Sequence, residues 1–284
     1  MIIDSPANPV VKALRSLEQA KHRKDRRLFL VEGVRAVEDG LRAGYWPEIC
    51  LYSPELLAHT ERGAKLLKEL TSHKVQSKQD NAPTEATPRA LEAASATLHP
   101  QGVVAAFPMI EWESPSLPKG TTPLVLVCDN IQDPGNLGTI LRTAEAAGVQ
   151  AVWLSPQCAD LYNPKVVRGA MGAHFRLPVY ATDWPDIERD LGLLGIGEER
   201  IIATDANAQD TYDVVHWTLP GALVISNEAH GLSDQAAKLA EHGRTIAVPM
   251  AGGTESLNAA TAAAIILFEA ARQRRQKAEG SKQA

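Results

Sequence analysis

The chain has 284 residues, of which 44% are hydrophobic and 22% charged, enough to bury one or two ordinary cores and too apolar for a disordered tail. A membrane-spanning helix is excluded, because even the apolar stretch from Ala259 to Phe268 ends at Glu269, short of the roughly 20 residues a bilayer requires. Met1 to Ser5 do not form a basic segment leading into an apolar one, so no signal peptide is expected and the cytoplasm is the expected location.

Cys50, Cys128 and Cys158 show no CxxC spacing and the histidines include no HExxH, so core thiols and metal-free chemistry are expected. The net charge of −5 hides an asymmetry: residues 12–27 carry +5 and the tail from Arg272 carries +4, leaving −14 on the rest. Charge alone leaves two readings of the basic segments open, a solvated helix face or a phosphate contact.

In chain order, Asn8 and Pro9 start a helix as N-cap and first helical residue, and Val10, Leu14 and Leu17 give it one apolar stripe with Lys12 and Arg15 pointing away. A strand is expected over Leu28 to Val31, a helix from Glu32 to Ala43 closed by Gly44, a strand over Ile49 to Tyr52, a helix around Glu61 to Leu70, and a strand over Val103 to Phe107. Residues 1–107 thus read as a small α/β domain. Residues 108–123 hold four prolines and a glycine and read as a linker.

The continuous apolar run Leu124 to Cys128 predicts a strand covered on both faces of a parallel sheet. A helix from Leu137 to Ala147 follows, then strands near Ala151 to Leu154, Arg176 to Tyr180, Ile201 to Thr204, Ala222 to Ser226 and Thr245 to Val248, and a long helix from Leu257 to Arg275. This alternation predicts an open α/β sheet over 124–275, with its ligand site beyond the C-terminal strand ends, and a basic tail over 276–284.

Three segments place glycines and polar residues at those strand ends. In Asp129 to Arg142, Pro134-Gly135 makes a turn, Asn136 is the expected N-cap, and Arg142 lies one helical turn after Gly138. The segment matches neither GxGxxG nor GxxxxGK[ST], which disfavours dinucleotide dehydrogenases and P-loop hydrolases. In Ser226 to Ser233, Asn227 and Glu228 need partners at the tip of an apolar strand, His230 reads as an ordinary loop residue, and Gly231 supplies a backbone angle or a close approach. In Val248 to Asn258 the glycines let backbone wrap a flat ligand; Ser256 has no GxSxG context, against a hydrolase nucleophile.

Taken together, Asn136, Gly138 and Arg142 (N-x-G-x-x-x-R), Asn227, Glu228 and Gly231 (N-E-x-x-G), and Pro249-Met250 through Ser256-Leu257-Asn258 resemble the three motifs of the SpoU (TrmH-like) branch of the SPOUT superfamily, RNA ribose 2′-O-methyltransferases. Asn8 to Lys12, the basic stretch leading to Phe29-Leu30-Val31-Glu32-Gly33, and His99 to Val103 are similar to the L30e-like substrate-binding domain attached to many of these enzymes. Ser226 stands where many relatives have glycine, and Pro100 separates His99 from Gln101.

The resemblance implies a C-terminal α/β-knot, a deep trefoil knot in a mostly parallel sheet, preceded by the small L30e-like α/β domain. It implies S-adenosylmethionine as cofactor, held by Thr204, Ser226, Asn227, Gly231, Val248, Met250 and Leu257. The implied catalytic set is Arg142, Asn136, Glu228, Ser256 and Asn258. The resemblance credits Arg142 with activating the 2′-hydroxyl, either as a base or, as expected of a guanidinium, mainly by stabilising charge on the ribose oxygen, with Glu228 orienting Arg142 or a neighbouring loop. Lys12, Arg23, Lys24, Arg26, Arg27 and Phe29 are the expected RNA contacts, and a homodimer through the C-terminal domain is implied, with no metal and no membrane. Large-subunit ribosomal RNA is the expected substrate and transfer RNA the alternative. A non-catalytic RNA-binding or ribosome-assembly protein and a small-molecule α/β enzyme are the rival readings.

Overall fold

A computed structural model describes residues 2–76, 82–97, 99–113, 115–118, 120–227 and 231–280. They form two compact units: one holds the residues up to Ile110 together with Tyr162–Phe175, the other Glu111–Leu161 with Arg176 onward. The division is not sequential, because fourteen residues from the middle of the chain pack with the first unit.

In the first unit, helices α1 (Pro9–Ser16) and α2 (Ala20–Arg26) precede strand β1 (Leu28–Glu32). Helix α3 (Val34–Arg42), β2 (Ile49–Tyr52), α4 (Pro54–Leu57), α5 (Glu61–Gln76), β3 (Thr84–Glu85), α6 (Pro88–Ala94) and β4 (Val103–Pro108) follow. The sheet order is β1-β4-β2-β3, with β4 antiparallel to both neighbours and β2 parallel to β3. Asn8 caps α1, its side chain accepting from Val10 N at 2.8 Å with Pro9 at the first position, as the Asn-Pro pair predicts. Val11, Leu14 and Leu17 of this region are buried.

The basic segment divides into exposed and buried charge. Lys12, Lys24, Arg26 and Arg27 are exposed, but Arg23 is only 2% exposed. Its Nη1 donates to Leu17 O at 2.8 Å and Glu18 O at 2.7 Å, satisfying carbonyls at the end of α1. Phe29 is fully buried among Phe107, Tyr162, His174 and Phe175. The expectation that Arg23 and Phe29 reach RNA is therefore corrected: one holds backbone and the other is core.

The second unit opens with β5 (Leu124–Asp129), α7 (Pro134–Ala146) and β6 (Ala151–Leu154). The chain then supplies α8 (Pro164–Ala170) to the first unit before returning as β7 (Val179–Ala181), α9 (Trp184–Leu193), β8 (Ile201–Thr204), β9 (Asp210–Thr211), β10 (Gly221–Ser226), α10 (Asp234–Leu239), β11 (Arg244–Ala247) and α11 (Ala259–Gly280). The seven strands run β7-β6-β5-β10-β8-β11-β9, and every pairing is parallel. All of β5 is buried, as its unbroken apolar run requires of a strand covered on both faces. The strand expected over Arg176 to Tyr180 begins only at Val179, because a 3-10 turn at Ala173–Phe175 and Pro178 precede it.

Along α11, Ala259, Ala260, Ala263, Ile266, Leu267 and Ala270 are buried, a stripe at helical spacing whose alanines let the helix lie close to α7. Its basic residues are largely committed within the fold. Arg272 pairs with Glu269, and Arg274 donates to Thr122 O, Pro123 O, Trp217 O and Leu219 O at 2.6 to 3.0 Å. Burial, with Arg200 nearby, lowers the Arg274 pKa from the ordinary arginine value. No described helix is long and apolar enough to cross a membrane.

Replacing Arg23 with Ala removes two charge-assisted bonds to backbone carbonyls, one buried and one part-buried, and is expected to cost about 1.5–3 kcal/mol of stability. Lys24→Ala next to it should change stability by no more than about 0.5 kcal/mol. Denaturant midpoints of the two variants at constant slope measure the difference.

Candidate active site

The two halves of the parallel sheet meet at β5 and β10. From β5 the chain proceeds outward through β6 and β7, then resumes on the other side with β10 inserted between β5 and β8. Such a reversal opens a crevice at the C-terminal strand ends. Register places Ser226 at the end of β10 beside Asp129 at the end of β5, so the first two sequence segments emerge side by side.

Asp129 is fully buried, and its two carboxylate oxygens accept from Ser233 N at 2.7 Å and Ser233 Oγ at 2.9 Å. Ser233 also caps α10, accepting from Ala236 N at 3.2 Å. One residue along, Asn227 Nδ2 donates to Asn130 O at 3.3 Å. Asn130 has φ +53°, a left-handed conformation that asparagine tolerates better than most residues, and its N–H donates to Ser155 Oγ at 3.1 Å. Gly231 N donates to Asn227 O at 3.0 Å. Gly231 has φ +67°, an angle that glycine adopts without the cost a side chain would impose. Glu228 and His230 lie outside the described residues.

Helix α7 starts one turn earlier than Asn136 suggests. Asp133 is the N-cap, accepting from Asn136 N at 2.7 Å, and Pro134 takes the first position. Asn136 is released from capping, and its Oδ1 accepts from Asn258 Nδ2 at 2.9 Å. Asn258 Oδ1 meanwhile accepts from Ala260 N at 3.0 Å and Thr261 N at 3.3 Å at the start of α11. The first and third segments are thus joined across 122 residues of chain. Gly138 is buried and Arg142 exposed on α7, and among the described residues nothing hydrogen-bonds or ion-pairs with the Arg142 guanidinium.

Behind these residues lies a cavity of about 580 Å³. Thr204, Ser226, Asn227, Gly231, Val248, Met250 and Leu257 all line it, as does Ser256; Asn136, Arg142 and Asn258 do not. Ile225, Leu232, Ile246 and Ile266 give it apolar walls, and Asp205, Asn207 and Glu255 add polar groups that the motifs do not single out. Cys128 and Cys158 lie nearby at the β5 end, where Cys158 Sγ donates to Cys128 O at 3.2 Å. Burial raises both thiol pKa values, so they stay neutral and are poor nucleophiles.

The first unit has a second cavity, of about 420 Å³, lined by Arg35, His59, Arg62 and Gln101 together with Val34, Leu56, Thr60 and Pro100. Arg62 pairs with Glu38, which also holds Arg42. Arg35 has no partner among the described residues. The sequence reading missed this group because its members come from three separate segments and form no charge run.

Residues 123–268 match the SpoU rRNA Methylase family and residues 8–105 the MRM3-like substrate binding domain. A zebrafish (Danio rerio) relative, rRNA methyltransferase 3A, mitochondrial, is 36% identical over 86% of this chain; the chain spans 63% of that relative's length. The 23S rRNA (guanosine(2553)-2′-O)-methyltransferase RlmP of Bacillus subtilis is 33% identical, over 94% of this chain and 97% of its own. Among solved structures, an AdoMet-bound rRNA methyltransferase from Sinorhizobium meliloti superposes with a TM-score of 0.81 at 29% identity, covering 96% of this chain and 97% of that one. The motif geometry and the two matched regions carry one conclusion: the chain belongs to the SpoU rRNA methylase family of S-adenosylmethionine-dependent RNA ribose 2′-O-methyltransferases.

Proposed function

We propose that this chain methylates a ribose 2′-hydroxyl of large-subunit ribosomal RNA, in the cytoplasm, as a homodimer whose C-terminal segment forms a trefoil knot. The observation that carries the reading is the convergence of the three segments: Asn136 bonded to Asn258, Asn227 bonded to Asn130, and one cavity beside them. The action of the Bacillus subtilis relative on 23S rRNA supports the substrate. The passage of the chain from β11, inside the sheet, back to α11 beside α7 supports the knot.

The cavity suits S-adenosylmethionine: its volume of about 580 Å³ falls within the range of about 300–1,000 Å³ common for small-ligand clefts, and its apolar walls and strand-end polar groups suit a nucleoside. When bound, the cofactor supplies a methyl group carried on a sulfonium. Ser226, Asn227 and Gly231 line the cavity from one strand end, and Val248, Met250 and Leu257 from another, so this set would hold the cofactor. Methyl transfer to an alcohol places negative charge on the attacking oxygen, and fixed donors there lower the barrier. Among the described residues Arg142 has no competing partner, and its guanidinium would stabilise the nascent alkoxide and the adjacent phosphate. The Asn136–Asn258 pair and Ser256 would hold the acceptor nucleotide in line.

RNA would be gripped by the first unit through exposed Lys12, Lys24, Arg26 and Arg27 and through the Arg35–Arg62 cavity. Both surfaces are basic, and phosphate affinity comes from clustered cations.

Arg142→Ala should lower the single-turnover methylation rate by about 100-fold or more while cofactor affinity, measured by calorimetry, stays within about twofold; a wild-type rate would remove the assignment. Mapping ribose methylation on total RNA with and without the protein identifies the target nucleotide. For the RNA grip, Arg35→Ala with Arg62→Ala should weaken RNA binding about tenfold or more and reduce the slope of log affinity against log salt by up to about two. Unchanged affinity at both low and moderate salt refutes this.

A further inference from the structure

We propose that the cavity discriminates the methyl donor from its spent product by charge, with Asp205 and Glu255 as the specificity-determining residues. This rests on the cofactor reading above and concerns what sets the order of binding and release. Among the described residues the cavity lining includes two carboxylates, Asp205 and Glu255, and no lysine, arginine or histidine. Among the described residues no cation pairs with either carboxylate. Several other acids of this unit are paired, Glu145 with Arg176, Asp186 and Asp190 with Arg189, Asp210 with Arg244, and Glu269 with Arg272; what sets Asp205 and Glu255 apart is their place in the cavity lining.

The fold holds one of the two carboxylates in place. Asp205 directly follows β8, its N–H donates to Ile246 O at 3.0 Å, and its Oδ1 accepts from Asn207 N at 2.8 Å. The backbone thus fixes the side chain at the cavity wall without supplying a countercharge. Glu255 enters from the segment between β11 and α11, next to Ser256 and Leu257, which also line the cavity.

The donor carries a sulfonium, an ammonium and a carboxylate, for a net charge of +1. Transfer of the methyl group to the ribose oxygen breaks the carbon–sulfur bond and leaves both electrons on sulfur, so the product thioether has a net charge of zero. The proton leaving the ribose hydroxyl goes to solvent. Adenosine and amino-acid ends are common to both molecules, and neutral contacts with them bind donor and product alike. The two differ in the methyl group and in the charge on sulfur, and a charged lining responds to the second. An unneutralised carboxylate about 6 Å from that charge, at an effective dielectric of about 40, favours the donor by about tenfold. The acidic lining therefore relaxes its hold when the methyl group departs.

Titration calorimetry of the full chain with S-adenosylmethionine and with S-adenosylhomocysteine tests this, using wild type, Asp205→Asn, Glu255→Gln and the double variant. The neutral replacements keep shape and hydrogen-bonding capacity, and circular dichroism checks that the fold is retained. Wild type should bind the donor about tenfold or more tightly than the product. Each single variant should cut that ratio about three- to tenfold with little change in product affinity, and the double variant should bring it near one. Added salt should narrow the wild-type ratio. A wild-type ratio of one or below, a ratio unchanged in the variants, or equal losses for both ligands overturns the charge proposal and leaves the cofactor reading standing. Failure of wild type to bind either ligand overturns the cofactor reading itself.

Discussion

The carboxylate of Asp129 is fully buried, and burying it is tolerable only because both oxygens are satisfied by Ser233. That requirement couples two elements 104 residues apart in sequence. It fixes the start of α10 against the end of β5, and with it the return of the chain from the β10 tip. Asn227 reaches Asn130 next door, so the second segment is attached at both ends to consecutive residues of the first.

A second coupling, Asn136 to Asn258, joins the starts of the two helices that flank the site. Asn258 uses its oxygen to cap α11 and its amide nitrogen to reach Asn136, so one side chain sets both where that helix begins and where it meets the start of α7. Arg142 is the opposite case, a cation on an exposed helix face that no described neighbour engages. The Asn136–Asn258 pair is thus tied to the fold, whereas the Arg142 guanidinium stands on an exposed face of α7.

Much of this was legible in the sequence for plain reasons. β2 and β8 coincide with their apolar runs, and β5 and β10 reach only a residue further, because strands covered on both faces need uninterrupted hydrophobicity. The helix cap at Asn8 was legible because proline follows it; the same signal at Asp133-Pro134 shows why Asn136 is not the cap of α7. A run of basic residues does not say which member turns inward, and Arg23 does so because the chain between α1 and α2 leaves carbonyls within its reach. Phe29 stands inside an apolar strand, and its neighbours already pointed to the core. The Arg35 and Arg62 group, like Asp205 and Glu255, is assembled from separated segments, and no local pattern announces such a cluster.

The core around Phe29 is completed by Tyr162 and Phe175, which arrive only after the chain has built β5, α7 and β6. During synthesis, the amino-terminal unit therefore cannot finish folding when its own contiguous stretch leaves the ribosome. It must wait, with aromatic surface uncovered, for more than fifty further residues of chain beyond Ile110. A protease cut in the proline-rich stretch after that point would sever the sequence without yielding a self-sufficient module.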